Sequence, residues 1–100
     1  MIPKLVRDKI PEIIEKADKI PKTHIANNDE YWELLRKKLI EEVTEFLEDN
    51  SKEELADTLE VIYAICDYKK ISREEIEGIR LKKQKERGAF KDKIILDGVE

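Results

Sequence analysis

Glu41-Glu42-Val43-Thr44-Glu45-Phe46-Leu47-Glu48-Asp49-Asn50-Ser51-Lys52-Glu53-Glu54-Leu55-Ala56-Asp57 is the stretch that decides the fold, because two helical patterns meet inside it across the break Asp49-Asn50. Upstream, Asn28 or Asp29 can cap a helix to about Glu48 whose apolar stripe is Trp32, Leu35, Leu39, Val43, Phe46 and Leu47. Downstream, Ser51 with Glu54 forms a capping box that opens a second helix to about Tyr68, striped by Leu55, Leu59, Ile62 and Cys66. A break this short leaves the two helices no choice but to turn back on each other. The centre of the chain is predicted to be an antiparallel helical hairpin.

Working outward, Pro11 suits the first position of a short helix to about Lys19, with Ile10, Ile13, Ile14 and Ala17 on one face. Residues 1–9 read as extended, Pro21 as the end of the short helix, and 21–28 as a loop. Ser72 with Glu75 repeats the capping box, and Gly88 is a natural stop for a further helix. Ile94, Ile95 and Leu96 in the tail fit either an extended or an irregular chain. Three Gly and three Pro in 100 residues give little turn chemistry, which also favours helices. The expected fold is a single all-α domain at residues 1–100. Its hairpin is half of a four-helix bundle, completed by flanking helices, a second subunit or both.

Composition excludes several function classes. The formal net charge is -4 and 44 % of residues are charged, with Lys and Arg interleaved among Glu. Nucleic acid is therefore a poor partner for the chain. The longest apolar run, Val61 to Cys66, is far too short to span a membrane. Met1 to Lys9 lacks the apolar core of a signal peptide, and one Cys with one His provides neither a disulfide nor a structural zinc site. A cytoplasmic protein is expected.

Two acidic pairs interrupt the hairpin, Glu42 with Glu45 and Glu54 with Asp57, each at i, i+3 and so on one helical face. With the turn centred between Asp49 and Asn50, Glu45 lies level with Glu54 and Glu42 with Asp57. At about 1.5 Å per residue the two couples sit roughly 7 and 11 Å from the turn. Glu42 borders the apolar stripe near Leu35 and Phe46, and Glu54 and Asp57 bracket Val61, whereas Glu48, Glu53 and Glu60 point outward. Four converging carboxylates repel one another unless a cation joins them, and an all-oxygen shell suits Mg²⁺ or Mn²⁺ rather than zinc. The plainer reading is chance, since a chain with 24 acidic residues forms E-x-x-E and E-x-x-D readily, and Glu54 also serves the cap.

Glu41-Glu42-Val-Thr-Glu45 followed by Glu54-Leu-Ala-Asp57 resembles the E-E-x-x-E … E-x-x-D signature of the all-α nucleoside triphosphate pyrophosphatases, the MazG-like superfamily. Lys4-Leu-Val-Arg-Asp-Lys-Ile-Pro-Glu-Ile-Ile14 and Lys85-Glu-Arg-Gly-Ala-Phe90 look like the two ends of a small single-domain, house-cleaning subgroup. The gap between the acidic pairs is shorter than in typical members, and Ala89 stands where a second Gly is expected. The resemblance implies Mg²⁺-dependent hydrolysis of a nucleoside triphosphate between its α- and β-phosphates, with Glu42, Glu45, Glu54 and Asp57 holding the metal. It implies Glu41 as the group that orients or deprotonates the attacking water, where the ordinary reading is a solvated surface Glu. The same holds for Lys38 (phosphate contact, or an i, i+4 salt bridge to Glu42) and for Lys85 and Arg87 (phosphate contacts, or a solvated helix end). Arg7 and Lys9 are weaker candidates for phosphate. Trp32 and Tyr63, with Tyr31 and Tyr68, are the available base-stacking surfaces, although aromatic residues on helices more often build core or interface. His24 reads as an exposed loop residue and Cys66 as a small core residue. The thin stripes of the outer helices lead to the expectation of a homodimer or tetramer. The competing readings are phosphoribosyl-ATP pyrophosphohydrolase and a non-catalytic helical dimerisation or regulatory module.

Overall fold

The computed structural model describes residues 3–100. Four helices follow one another: α1 (Ile10–Lys16), α2 (Asn28–Asp49), α3 (Lys52–Tyr68) and α4 (Arg73–Arg87), with no strand among the described residues. The fold is all-α, and its organising contact is α2 laid along α3.

Side-chain caps set the helix starts where short polar residues allow it. The Asn27 side chain, rather than Asn28 or Asp29, accepts from the Glu30 amide at 2.9 Å and opens α2 one residue earlier than the pattern indicated. Ser51 accepts from Glu54 at 3.2 Å and Ser72 from Glu75 at 3.0 Å, so both capping-box positions start helices. Gly88, at φ 85°, ends α4 with its amide bonded to the Gln84 carbonyl. Asn50 takes the left-handed conformation (φ 57°, ψ 23°) and its amide closes α2 on the Phe46 carbonyl. Asn tolerates this region better than other non-glycine residues.

Two expectations need correction. The short helix stops at Lys16 rather than Lys19, because Asp18 turns into the left-handed region (φ 59°) well before Pro21. Of the stretch expected to be extended, residues 8–9 form a turn and residues 3–7 belong to no regular element, while residues 1 and 2 lie outside the described residues. The apolar stripes, expected to need a further layer, are only partly covered. Leu35 is 1 % exposed, and Val61 and Cys66 are buried beside it, but Val43, Leu47, Leu55, Leu59 and Ile62 remain exposed.

The hairpin thus has two unlike faces. Across one runs the N-terminal segment, where Leu5 and Val6 are half-buried. The other shows Ile40, Val43 and Leu47 of α2 and Leu55, Leu59 and Ile62 of α3. Spacings of three and four along each helix put each trio on one side. Among the described residues α4 meets α3 alone and α1 packs against no other helix, and the molecule extends 60 × 31 × 24 Å. The tail from Gly88 onward is irregular and exposed throughout. No helix is long and apolar enough to cross a membrane among the described residues.

Candidate metal centre

The turn places the acids. With α2 ending at Asp49 and α3 starting at Lys52, its centre falls between Asn50 and Ser51, one residue later than the sequence pattern implied. Both couples, Glu45 with Glu54 and Glu42 with Asp57, are thereby moved out of level by about 3 Å. The group that converges is Glu42, Glu54 and Asp57, each with a carboxylate oxygen within 4.8 Å of the others. Glu45 stays outside that triplet but close enough to act on Glu54 through its charge and a hydrogen bond.

Glu42 is the buried charge of the site, 7 % exposed on the inner side of α2. Its Oε1 faces the Lys38 Nζ at 3.4 Å, one turn back on the same helix. Its Oε2 is closed off from solvent and has no hydrogen-bond partner among the described residues, and the same is true of Glu54 Oε2. Unpaired buried carboxylate oxygens are costly. Burial first, then Glu45, Asp57 and Glu42, push the Glu54 carboxyl up to about 7.

The cations nearby do not cancel the acids. Lys38 is shared between Glu41 at 3.1 Å and Glu42 at 3.4 Å. Burial works to lower its pKa, but the hydrogen bonds and charges of these two acids outweigh that and raise it. Arg7 donates from its NH2 group to Asp57 Oδ1 at 2.7 Å, with both side chains substantially exposed. An exposed pair of this kind contributes about 0–1 kcal/mol, so it yields readily to a competing ion. No cation pairs with Glu54 among the described residues. The donor set fits a hard divalent ion: oxygen ligands only, two of them buried and unpartnered, with more negative charge than Lys38 and Arg7 neutralise.

Beside the acids a cleft of about 360 Å³ runs under the N-terminal segment, lined by Val6, Arg7, Tyr31, Leu35, Lys38, Glu42, Asp57 and Val61 among others. It combines an apolar wall with two cations, Arg7 and Lys38, and five carboxylates, Asp8, Glu42, Asp57, Glu60 and Asp67.

The other sequence candidates are placed differently. Glu41 is half-buried and turns to Lys38 and, at 3.8 Å, to Lys4, outside the converging triplet. Lys85 and Arg87 are exposed in the last turn of α4, line no part of this cleft and form no ion pair among the described residues. Trp32 stacks on Tyr68 with ring centroids 4.9 Å apart and planes 8° apart, and Arg36 lies 5.2 Å from its ring. Tyr63 is covered by the Arg73 guanidinium at 3.6 Å. Each ring thus has an intramolecular partner on one face. His24 is exposed and bonds Glu30 at 2.9 Å, and Cys66 is a buried core thiol. Arg7, a weaker candidate in the sequence, is the N-terminal side chain that reaches the cluster, through Asp57.

No family model matches the chain, and no solved structure matches it. The chain is similar to a protein of Mycolicibacterium smegmatis (strain ATCC 700084 / mc(2)155) that is described only as uncharacterized, with 49 % identity over 41 residues. That match spans 41 % of this chain and 42 % of its relative, less than half of either.

Proposed function

We propose that the protein is a Mg²⁺-dependent nucleoside triphosphate pyrophosphohydrolase, splitting its substrate between the α- and β-phosphates into a nucleoside monophosphate and pyrophosphate. The observation that carries this reading is the pair of buried, unpartnered oxygens, Glu42 Oε2 and Glu54 Oε2, in a carboxylate group beside a cleft with two cations. The acidic signature to which Glu41–Glu45 and Glu54–Asp57 bear a likeness supports it.

Glu42, Glu54 and Asp57 would hold the ion, and Glu45 completes the acidic field around Glu54. A divalent ion bound there would supply charge neutralisation for the phosphate oxygens and a lowered pKa for water. Lys38 and Arg7 meet the phosphates from the cleft wall, Arg7 exchanging its weak pairing with Asp57 for a phosphate oxygen. Glu41, next to Glu42 and anchored by Lys38, orients the attacking water once that lysine turns to the substrate. The reading places the protein in the cytoplasm, where nucleoside triphosphates are at hand and a lone thiol such as Cys66 stays reduced. It also calls for at least two copies, because one hairpin leaves an apolar face uncovered.

The test is pyrophosphate release from canonical nucleotides, damaged nucleotides and phosphoribosyl-ATP, with Mg²⁺ and with chelator. Release should need the metal, and Glu42→Ala and Asp57→Ala should each lower turnover at least about 100-fold while leaving metal-free helicity unchanged. Turnover by Glu42→Ala at the parent rate would overturn the assignment. Activity on phosphoribosyl-ATP alone would narrow the enzyme to histidine biosynthesis.

A further inference from the structure

The chain is far from compact. Its radius of gyration is 17.9 Å, where a folded chain of this length has about 13 Å. It exposes 9417 Å², against about 5,900 Å² expected of a compact monomer of its mass. A standard stable interface takes about 800 Å² from each partner, so the excess is several times what a dimer needs.

The surplus surface lies in two places of opposite charge. Residues 41–58, the closed end of the hairpin, hold eight carboxylates and one cation, Lys52. Beside these charges runs the uncovered face of Val43, Leu47, Leu55 and Leu59. Residues 79–96, the second half of α4 and the start of the tail, hold seven Lys or Arg and only two acids, Glu86 and Asp92. This arm is also apolar and exposed: Ile79, Leu81, Ile94 and Phe90, the last 97 % exposed. It leaves α3 at the open end of the hairpin, away from the acidic turn.

We infer that two copies of this chain associate by exchanging arms, the basic apolar arm of residues 79–96 in each lying on the acidic apolar hairpin of the other. Each chain carries both halves of the contact, so a two-fold arrangement satisfies both at once and closes. The helical part of the arm, residues 79–87, is about 14 Å long and fits within the about 26 Å of the 17-residue α3. Apolar burial holds the contact, and charge complementarity fixes its direction and speeds encounter. The inference starts from the homodimer proposed above but not from its chemistry. A mass measurement decides it whether or not the chain hydrolyses nucleotides.

Sedimentation equilibrium of the full chain should give the mass of two chains. In about 1 M salt, where screening reduces the reach of charges to ~3 Å, association should weaken about tenfold or more. Two exposed sets of charges are then reversed separately. K82E/K83E/K91E makes the arm acidic, and E48K/D49K/E53K makes the hairpin end basic. Each variant alone should keep the helicity of the parent and sediment as a single chain. An equimolar mixture should return to the mass of two chains, because each arm again meets a hairpin of opposite charge. A single-chain mass for the parent, parent-like association of either variant alone, or a mixture that stays monomeric would overturn the inference. Zero-length cross-linking of unsubstituted protein, mixed from isotopically light and heavy chains, gives a second measure. Links from Lys82, Lys83 or Lys91 to Glu48, Asp49 or Glu53 should join light to heavy chains, and finding them only within one chain would overturn it as well.

Discussion

Replacing Glu54 by Gln should uncouple divalent-cation binding from pH. In the parent chain burial and the neighbouring acids push the Glu54 carboxyl up to about 7, so this group is about nine-tenths protonated at pH 6 and about one-tenth at pH 8. An ion that binds the carboxylate must displace that proton. The Glu54 share of proton release is therefore about 0.9 per ion at pH 6 and about 0.1 at pH 8, and apparent affinity at pH 6 is about tenfold below its high-pH plateau. Calorimetric titration with Mn²⁺ in buffers of different ionisation enthalpy reads the released proton directly. Metal-free stability gives the linked result with its own sign. The folded-state pKa lies above the unfolded value of 4.5, so the folded chain keeps a proton that the unfolded chain loses. The stabilising contribution is complete below that unfolded value and declines as pH rises through about 7. Glu54→Gln should remove this decline and the pH-dependent proton release together. Proton release in the parent that is the same at pH 6 and pH 8 would refute the picture of a proton and a cation competing for one oxygen cluster.

Two predictions concern the scaffold. Leu35 is the most enclosed side chain in the hairpin, so Leu35→Ala should cost about 3 kcal/mol and lower the denaturant midpoint measured by circular dichroism; a loss below about 1 kcal/mol would mean that the site collapses around the gap. Asn50 holds the left-handed turn, so Asn50→Ala should cost about 1 kcal/mol while Asn50→Gly stays within a few tenths, as thermal melts of the two variants would register.

Much of the architecture is legible in the sequence because its signals are local. Ser51 and Ser72 announce their helices through a side chain that reaches three residues ahead, and Gly88 marks a helix end by its backbone freedom. The helical assignment around Asp49 and Asn50 rests on the same kind of signal. What escapes local reading is which oxygens meet: spacing along each helix offers four carboxylates, and the triplet that converges is Glu42, Glu54 and Asp57, without Glu45. Arg7 illustrates a second limit, since its partner Asp57 is 50 positions away and no periodicity joins them. The apolar stripes show a third. Hydrophobic period tells which side chains want cover, and Val43, Leu47 and Leu59 fit the period well, but it does not say whether the cover comes from the same chain.

The sole tryptophan of the chain is the one stacked flat on Tyr68, with Arg36 and Lys69 around it. It joins the N-terminal end of α2 to the last turn of α3, at the end of the hairpin opposite the acids. Its fluorescence is consequently a built-in gauge of whether those two helix ends stay clasped, with no label needed. Emission that shifts when a metal enters the distant carboxylates would mean that the two rods tilt as one lever, whereas a silent indole would mark the aromatic clasp as a fixed pivot.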